Sequence, residues 1–267
     1  MKKVMKIGVC RGFDDFFGIK AAAEAGADYI EAGFASFVNN EDAKFDFCKD
    51  YLQQYNMPCY SANCFIPGTL KVTGENVDYA ALDEYISKGF ENGAKLGLKT
   101  VVFGSSGARN VPEGFSPEKA KEQIAYFLKE YAGPRAKEHG IIITIEPLNT
   151  KDTNIIFTME EAAEIAKMSG ADNVFALGDL YHMCYNNDAA ANVYKLGGSV
   201  RHAHIAEPSK RRYPSRSDDA KYIAMYGEFL KALEATGCTH CSIEASTDAF
   251  SKEVGEAVAL LKECAGN

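Results

Sequence analysis

At 267 residues and a net charge of −8, the chain has room for one closed α/β barrel, which typically takes about 250 residues. Its acidic balance excludes a surface built to neutralise nucleic-acid phosphates. Apolar residues make up 46% and charged residues 25%, an ordinary water-soluble mix, and no run approaches the roughly 18 apolar residues of a membrane span. The eight cysteines are scattered, which suits buried free thiols in a reducing cytoplasm better than a disulfide framework. Cys238 and Cys241 form a CxxC without the second pair that a zinc site needs.

The N-terminal segment MKKVMKIGVC carries no long apolar stretch and reads as a first strand, at 6–10, rather than as a signal peptide. A helix over 14–25 follows and stops at Gly26. The second strand is predicted at 28–33 (DYIEAG) and a weakly marked helix near 41–55. The third strand, 57–65, leads to a helix over 77–96, and the fourth, 100–105, to a helix over 117–139 that opens on Ser116-Pro117 and stops at Gly140. The fifth, 141–146 (IIITIE), precedes a helix over 158–169, opened by Thr158 and closed by Gly170. The sixth, 174–179, and seventh, 200–206, enclose a weakly marked helix near 188–197. A helix over 219–236, ending at Gly237, leads to the eighth strand, 240–245, and a last helix near 249–264. Buried strands are short, apolar and rich in β-branched or aromatic residues. A capping oxygen opens a helix, and a glycine just past the last turn closes it.

Eight alternations without a composition break predict one (β/α)8 TIM barrel over 1–267, with parallel strands. An open doubly wound sheet is the alternative. The sequence has neither a GxGxxG turn after the first strand nor a GxxxxGK[ST] loop to support it.

Side chains two apart on a strand share a face. Ile141, Ile143 and Ile145 suit the helix layer, while Ile142, Thr144 and Glu146 face inward. The same phase joins Phe175, Leu177 and Asp179, then His202 and His204, then His240, Ser242 and Glu244. Four consecutive strands thus carry an acid or imidazole at their C-terminal ends, the catalytic face of this architecture. Unpaired buried carboxylates are costly, and one shared divalent cation at Glu146, Asp179, His204 and Glu244 removes that cost. Oxygen ligands with one imidazole suit Mn2+ first, with Mg2+ or Co2+ as alternatives. His202, one layer deeper, is assigned a supporting role, His240 a structural one, and His139 the surface. His182, three residues past Asp179, is expected to touch substrate. Arg109, in the glycine-bearing segment GSSGAR, is a candidate anion contact.

These residues resemble the xylose-isomerase-like barrel superfamily, in particular its ketose 3-epimerase and sugar-phosphate isomerase/epimerase branch. The resemblance is carried by Glu146-Pro147-Leu148-Asn149, Asp179-Leu180-Tyr181-His182-Met183, His202-Ala203-His204-Ile205-Ala206-Glu207 and Ile243-Glu244, with a looser match at Glu31. It implies that the four residues above are the metal ligands. It further implies that Glu146 and Glu244 exchange a proton with a sugar carbon next to a carbonyl, through a metal-stabilised enediolate. Two positions depart from the pattern: Asp152 stands where the family carries a glutamate that contacts substrate oxygens, and Lys210 where it carries an arginine. The basic run Lys210, Arg211 and Arg212 admits two readings, contact with an acidic or phosphorylated substrate, or a solvated loop.

The expected activity is isomerisation or epimerisation of a small sugar or sugar derivative. The alternatives are an inosose-dehydratase-like lyase and a non-catalytic carbohydrate-binding barrel. A three-metal nuclease would need more histidines than the five present. No nucleic-acid or membrane partner is expected, and a homo-oligomer is compatible with the sequence.

Overall fold

In the computed structural model, which describes residues 4–39 and 42–266, eight parallel strands close on themselves in sequence order. They are β1 (Lys6–Cys10), β2 (Tyr29–Gly33), β3 (Cys59–Asn63), β4 (Thr100–Phe103), β5 (Ile142–Ile145), β6 (Val174–Asp179), β7 (Val200–Ile205) and β8 (His240–Ile243). Each strand lies inside or on its predicted run, because buried apolar stretches of this length leave little room to slide. The predicted barrel is therefore the observed one, and the open sheet is excluded by the β1–β8 pairing, Lys6 to His240 through Val9 to Ile243. Residues 1–3, 40, 41 and 267, which include the first position of the helix expected at 41–55, lie outside the described residues.

The two faces of the strands do different work. Ile143, Ile145, Val174, Ala176, Ala203 and Ile205 are buried in the apolar layer beneath the helices. Side chains of the opposite phase meet across the barrel axis, where Glu31 of β2, Ser61 of β3, His202 of β7 and Ser242 of β8 are hydrogen-bonded together. The barrel interior is thus partly polar. Lower down, His240 stacks on Tyr60 with ring centroids 3.8 Å apart, and burial pushes its pKa down to about 4. This is the structural role expected of it.

Helices follow the predicted punctuation. Ser116 caps Pro117–Phe127 by accepting from the Lys119 N–H. Thr158 and Glu161 form a reciprocal capping box at the start of Met159–Ser169, which satisfies two otherwise orphaned donors. Gly170 and Gly237 close their helices in the left-handed conformation.

Two predicted helices are modified. The 117–139 stretch is interrupted by a π-helical turn over Leu128–Ala132 before helix resumes at Gly133–Glu138. Pro134 has no N–H to continue the ladder and its ring crowds the preceding turn. At Gly133 a Cβ would lie 2.5 Å from the Leu128 carbonyl oxygen, so this turn requires glycine. The 188–197 stretch breaks into a 3-10 turn at Ala190–Asn192 and one helical turn at Val193–Leu196. Three short helices, Ala35–Asn39, Ser106–Arg109 and Leu180–Tyr185, were not predicted. No helix among the described residues is long and apolar enough to cross a membrane. All eight cysteines are free thiols, Cys238 and Cys241 included.

Candidate metal and sugar site

Beyond the C-terminal ends of β5, β6, β7 and β8, four side chains converge. One ligand atom from each of Glu146, Asp179, His204 and Glu244 lies within 4.8 Å of the others. His204 Nδ1 is 3.0 Å from Glu146 Oε1, 3.3 Å from Glu244 Oε2 and 3.8 Å from Asp179 Oδ2. The backbone fixes this convergence. Glu146 and Glu244 stand one residue past their strands, yet their N–H groups still donate to Phe103 and Ile205 in the neighbouring strands. Asp179 also caps the helix Leu180–Tyr185, its Oδ1 accepting from the His182 N–H at 2.9 Å, which leaves Oδ2 toward the cluster. Gly104 lines the other wall, and a Cβ there would lie 2.1 Å from Glu146 Oε2. The glycine therefore makes space for the carboxylate.

Charge is concentrated here. Burial opposes an imidazolium at His204, but attraction from Glu31, Glu244 and Glu146 outweighs it and holds the pKa well above the ordinary histidine value. The two glutamates are driven apart. Burial, followed by repulsion from Glu244, raises Glu146. At Glu244 burial is overcome by His204 and Arg211, and the pKa falls to about 2. The His204 ring faces four carboxyl groups, those of Glu31, Glu146, Asp179 and Glu244, and Arg211 pairs with Glu244. Carboxylate oxygens from three side chains, two buried and one partly exposed, facing one imidazole nitrogen are a donor set that fits a hard divalent cation.

His204 is held from behind. Its Nε2 donates to Glu31 Oε1 at 2.7 Å, while Glu31 Oε2 accepts from His202 Nε2 at 2.7 Å, Ser61 Oγ at 2.7 Å and Ser242 Oγ at 2.6 Å. Glu31 is 1% exposed, and despite burial its two histidine partners keep its pKa well below the ordinary glutamate range. His202 is accordingly in the supporting position expected of it. The sequence signal for Glu31 was a lone acid inside the apolar strand DYIEAG, since a buried carboxylate requires partners. β2 shifts register between Ile30 and Glu31, and bulges of this kind re-aim side chains.

Above the cluster opens a cavity of about 620 Å³ lined by Glu146, Glu244, Asp152, His182 and Arg211, with Asn63, Cys64, Pro67, Gly68 and the Gly104–Gly107 segment completing its walls. His182 is 2% exposed. Its Nδ1 faces the Asn149 N–H at 3.2 Å and Asn149 Nδ2 at 2.9 Å, so Nδ1 accepts and the ring proton resides on Nε2. That Nε2–H is buried and has no partner. Asn149 Nδ2 also donates to Asp152 Oδ2 at 2.8 Å. Asn149 therefore orients both cavity residues, a role that the sequence reading did not give it.

Two residues expected to contact substrate, Lys210 and Arg109, do not line the cavity. Lys210 is exposed and does not line the cavity. Its N–H is used by Glu207 Oε2 at 2.8 Å, part of a tight loop in which Arg211 adopts φ 53°. That left-handed turn brings Arg211, not Lys210, into the cavity, where Nη2 donates to Glu244 Oε2 at 2.5 Å. The third member of the run, Arg212, pairs outside with Glu207 and Asp218. Arg109 is fully buried beneath the cavity wall. Its guanidinium donates to the carbonyls of Phe103 at 2.7 Å and Glu146 at 2.6 Å, and burial lowers its pKa to about 10. The helical turn Ser106–Arg109 folds it back onto the strand ends, where it clamps β4 to β5 and does not line the cavity.

A family model described as the xylose isomerase-like TIM barrel matches residues 19–264. An L-ribulose 3-epimerase of Methylomonas sp. (strain DH-1) is 29% identical over 201 residues, 73% of this chain and 67% of that protein. Among solved structures, a D-allulose 3-epimerase from Methylomonas sp. in complex with D-allulose has a TM-score of 0.81 at 21% identity, covering 98% of this chain and 97% of the other. A 3-keto-D-glucoside 4-epimerase from E. coli has a TM-score of 0.79 at 20% identity, covering 97% and 100%. At these identities the structural likenesses speak for the barrel, and the match along nearly the whole chain speaks for descent: this chain belongs to the xylose isomerase-like TIM barrel family.

Proposed function

We propose that the protein is a divalent-metal-dependent epimerase or isomerase of a small neutral sugar, with Glu146 and Glu244 as its proton-transfer groups and Glu146, Asp179, His204 and Glu244 as metal ligands. The observation that carries this reading is geometric: Glu146, Asp179, His204 and Glu244 come from four neighbouring strands to within 4.8 Å of one another, and Glu146 and Glu244 both line the cavity above them. Two carboxyl groups on one cavity can serve as one proton donor and one acceptor. The names of the relatives, an L-ribulose 3-epimerase and a D-allulose 3-epimerase, add support from outside the structure.

Bound at the four residues, a divalent cation, Mn2+ in first place and Mg2+ or Co2+ otherwise, would polarise the sugar carbonyl and stabilise the negative charge that develops as the neighbouring C–H is broken. Glu244, ionised, accepts the proton from the carbon beside the carbonyl, and the C–H electron pair moves into an enediolate. Glu146 returns a proton. Delivery to the opposite face of the same carbon inverts it, while delivery to the former carbonyl carbon, with the hydroxyl proton passing from one oxygen of the enediolate to the other, interconverts aldose and ketose. His182 Nε2–H donates to a sugar oxygen, and Asp152 accepts from a hydroxyl. Arg211 holds Glu244 in its charged form.

The same charges argue for a free sugar over a phosphorylated one. Glu146, Asp152 and Glu244 face the cavity, and the single arginine or lysine among its lining residues, Arg211, is already paired with Glu244. A phosphate would enter against this field. A panel of free and phosphorylated ketoses, assayed with EDTA-stripped protein before and after adding Mn2+, tests the proposal. Chromatography should reveal an epimer or aldose from a free ketose only after Mn2+ is restored. Equal turnover without metal, loss of water from the sugar, or turnover confined to phosphorylated substrates would contradict it. A cytoplasmic setting fits the eight free thiols.

A further inference from the structure

We propose that Glu31 is a positioning residue that fixes which nitrogen of His204 faces the metal, by accepting Nε2–H and leaving Nδ1 as the donor to the cation. This rests on the metal site proposed above and adds to it a requirement from the opposite side of the barrel. Imidazole can present either nitrogen to a cation, and the choice is set by the hydrogen bond that the other one makes. Here Nε2 is 2.7 Å from Glu31 Oε1, and Nδ1 faces Glu146, Glu244 and Asp179.

Glu31 is suited to hold that choice. Its second oxygen accepts from His202, Ser61 and Ser242, and Ser242 is backed in turn by the Tyr29 hydroxyl at 3.0 Å. The carboxylate is thereby locked by groups from β3, β7 and β8 and cannot rotate away from His204 without leaving several buried donors unpaired, each at a cost. A rival arrangement exists on the same ring. Cys10, Glu31 and His204 also offer ligand atoms within 4.8 Å of one another, but a cation there would need a bare Nε2 and would break the 2.7 Å bond. Glu31 thus directs His204 toward the carboxylate cluster and away from the thiol.

The test combines a measurement on the unaltered protein with variants. In Mg2+-loaded, 15N-histidine-labelled protein, long-range 1H–15N correlation should find His204 with its proton on Nε2 and none on Nδ1, the His204→Asn variant identifying its signals. A proton on Nδ1, or a metal-shifted Nε2, overturns the proposal. Glu31→Gln should lower Mn2+ affinity by roughly tenfold to hundredfold in calorimetry. Ser61→Ala, which removes a different donor to Glu31, should leave that affinity within about twofold. An equal loss in both variants would reduce Glu31 to a structural role, and undiminished affinity in a folded Glu31→Gln would refute the inference. If His204→Asn also kept full Mn2+ affinity, the metal site itself would be at fault, which separates the two failures. If Glu31→Gln does not fold, the tautomer measured in the unaltered protein decides.

Discussion

At the scale of single residues, the proposed chemistry is concentrated in a few side chains whose charges are set by each other. Removing the proton-accepting oxygen while keeping the shape, by Glu244→Gln, should leave a folded protein with kcat reduced at least ~100-fold. Near-normal turnover would remove Glu244 from its role as base. His204 supplies a second prediction. In the metal-free protein its pKa is raised, so near neutrality it holds a proton on each nitrogen, and a cation must displace the one on Nδ1. Binding therefore releases a proton, and apparent Mn2+ affinity should rise with pH, by up to about tenfold per pH unit, until the raised pKa is passed. Calorimetry across a pH series would detect this slope, and a flat profile would mean that His204 is not a ligand. Much of this was legible beforehand because strand phase is strict. Glu146, Asp179, His204 and Glu244 fall at the ends of neighbouring strands in one phase, and the structure brings all four together. Lys210 and Arg211 were not separable in this way. They sit on a loop whose left-handed turn at Arg211 reverses the expected direction, and no periodicity reports such a turn.

At the scale of elements, the strands and long helices were readable because burial repeats with a period and caps mark the ends. Helices such as Ser106–Arg109 and Leu180–Tyr185 were not, being too short for a period of 3.6 to register. Their effect on the site is nevertheless large. Leu180–Tyr185 uses Asp179 as its cap, and Ser106–Arg109 folds Arg109 into the join between β4 and β5. Arg109→Ala should expose this join, because two buried carbonyls would lose charged donors. We expect a destabilisation of about 3 kcal/mol in urea unfolding together with weakened metal binding, since the Glu146 backbone is one of the two partners. Unchanged stability would show that solvent replaces the guanidinium without cost.

At the scale of the whole molecule, barrel closure places residues far apart in the chain around one axis. Glu31 from the second strand reaches His204 on the seventh, and Glu244 on the eighth faces Glu146 on the fifth. The first half of the chain contributes the polar support and the second half the cluster, which is why motifs in the second half carried most of the resemblance. In the proposed reaction the acidic cavity, closed below by the Glu31 network and open above, sets what enters and which groups can exchange protons with it. The central claim is that Glu244 and Glu146 move a proton between solvent-exchangeable carboxyls and a sugar carbon. Running the first ketose found to react in D2O, with products examined by NMR or mass spectrometry, tests it most directly. Deuterium should appear at the carbon that is inverted or reprotonated, at one atom per turnover. Product that keeps its original hydrogen would signify a hydride shift and contradict the two-glutamate mechanism.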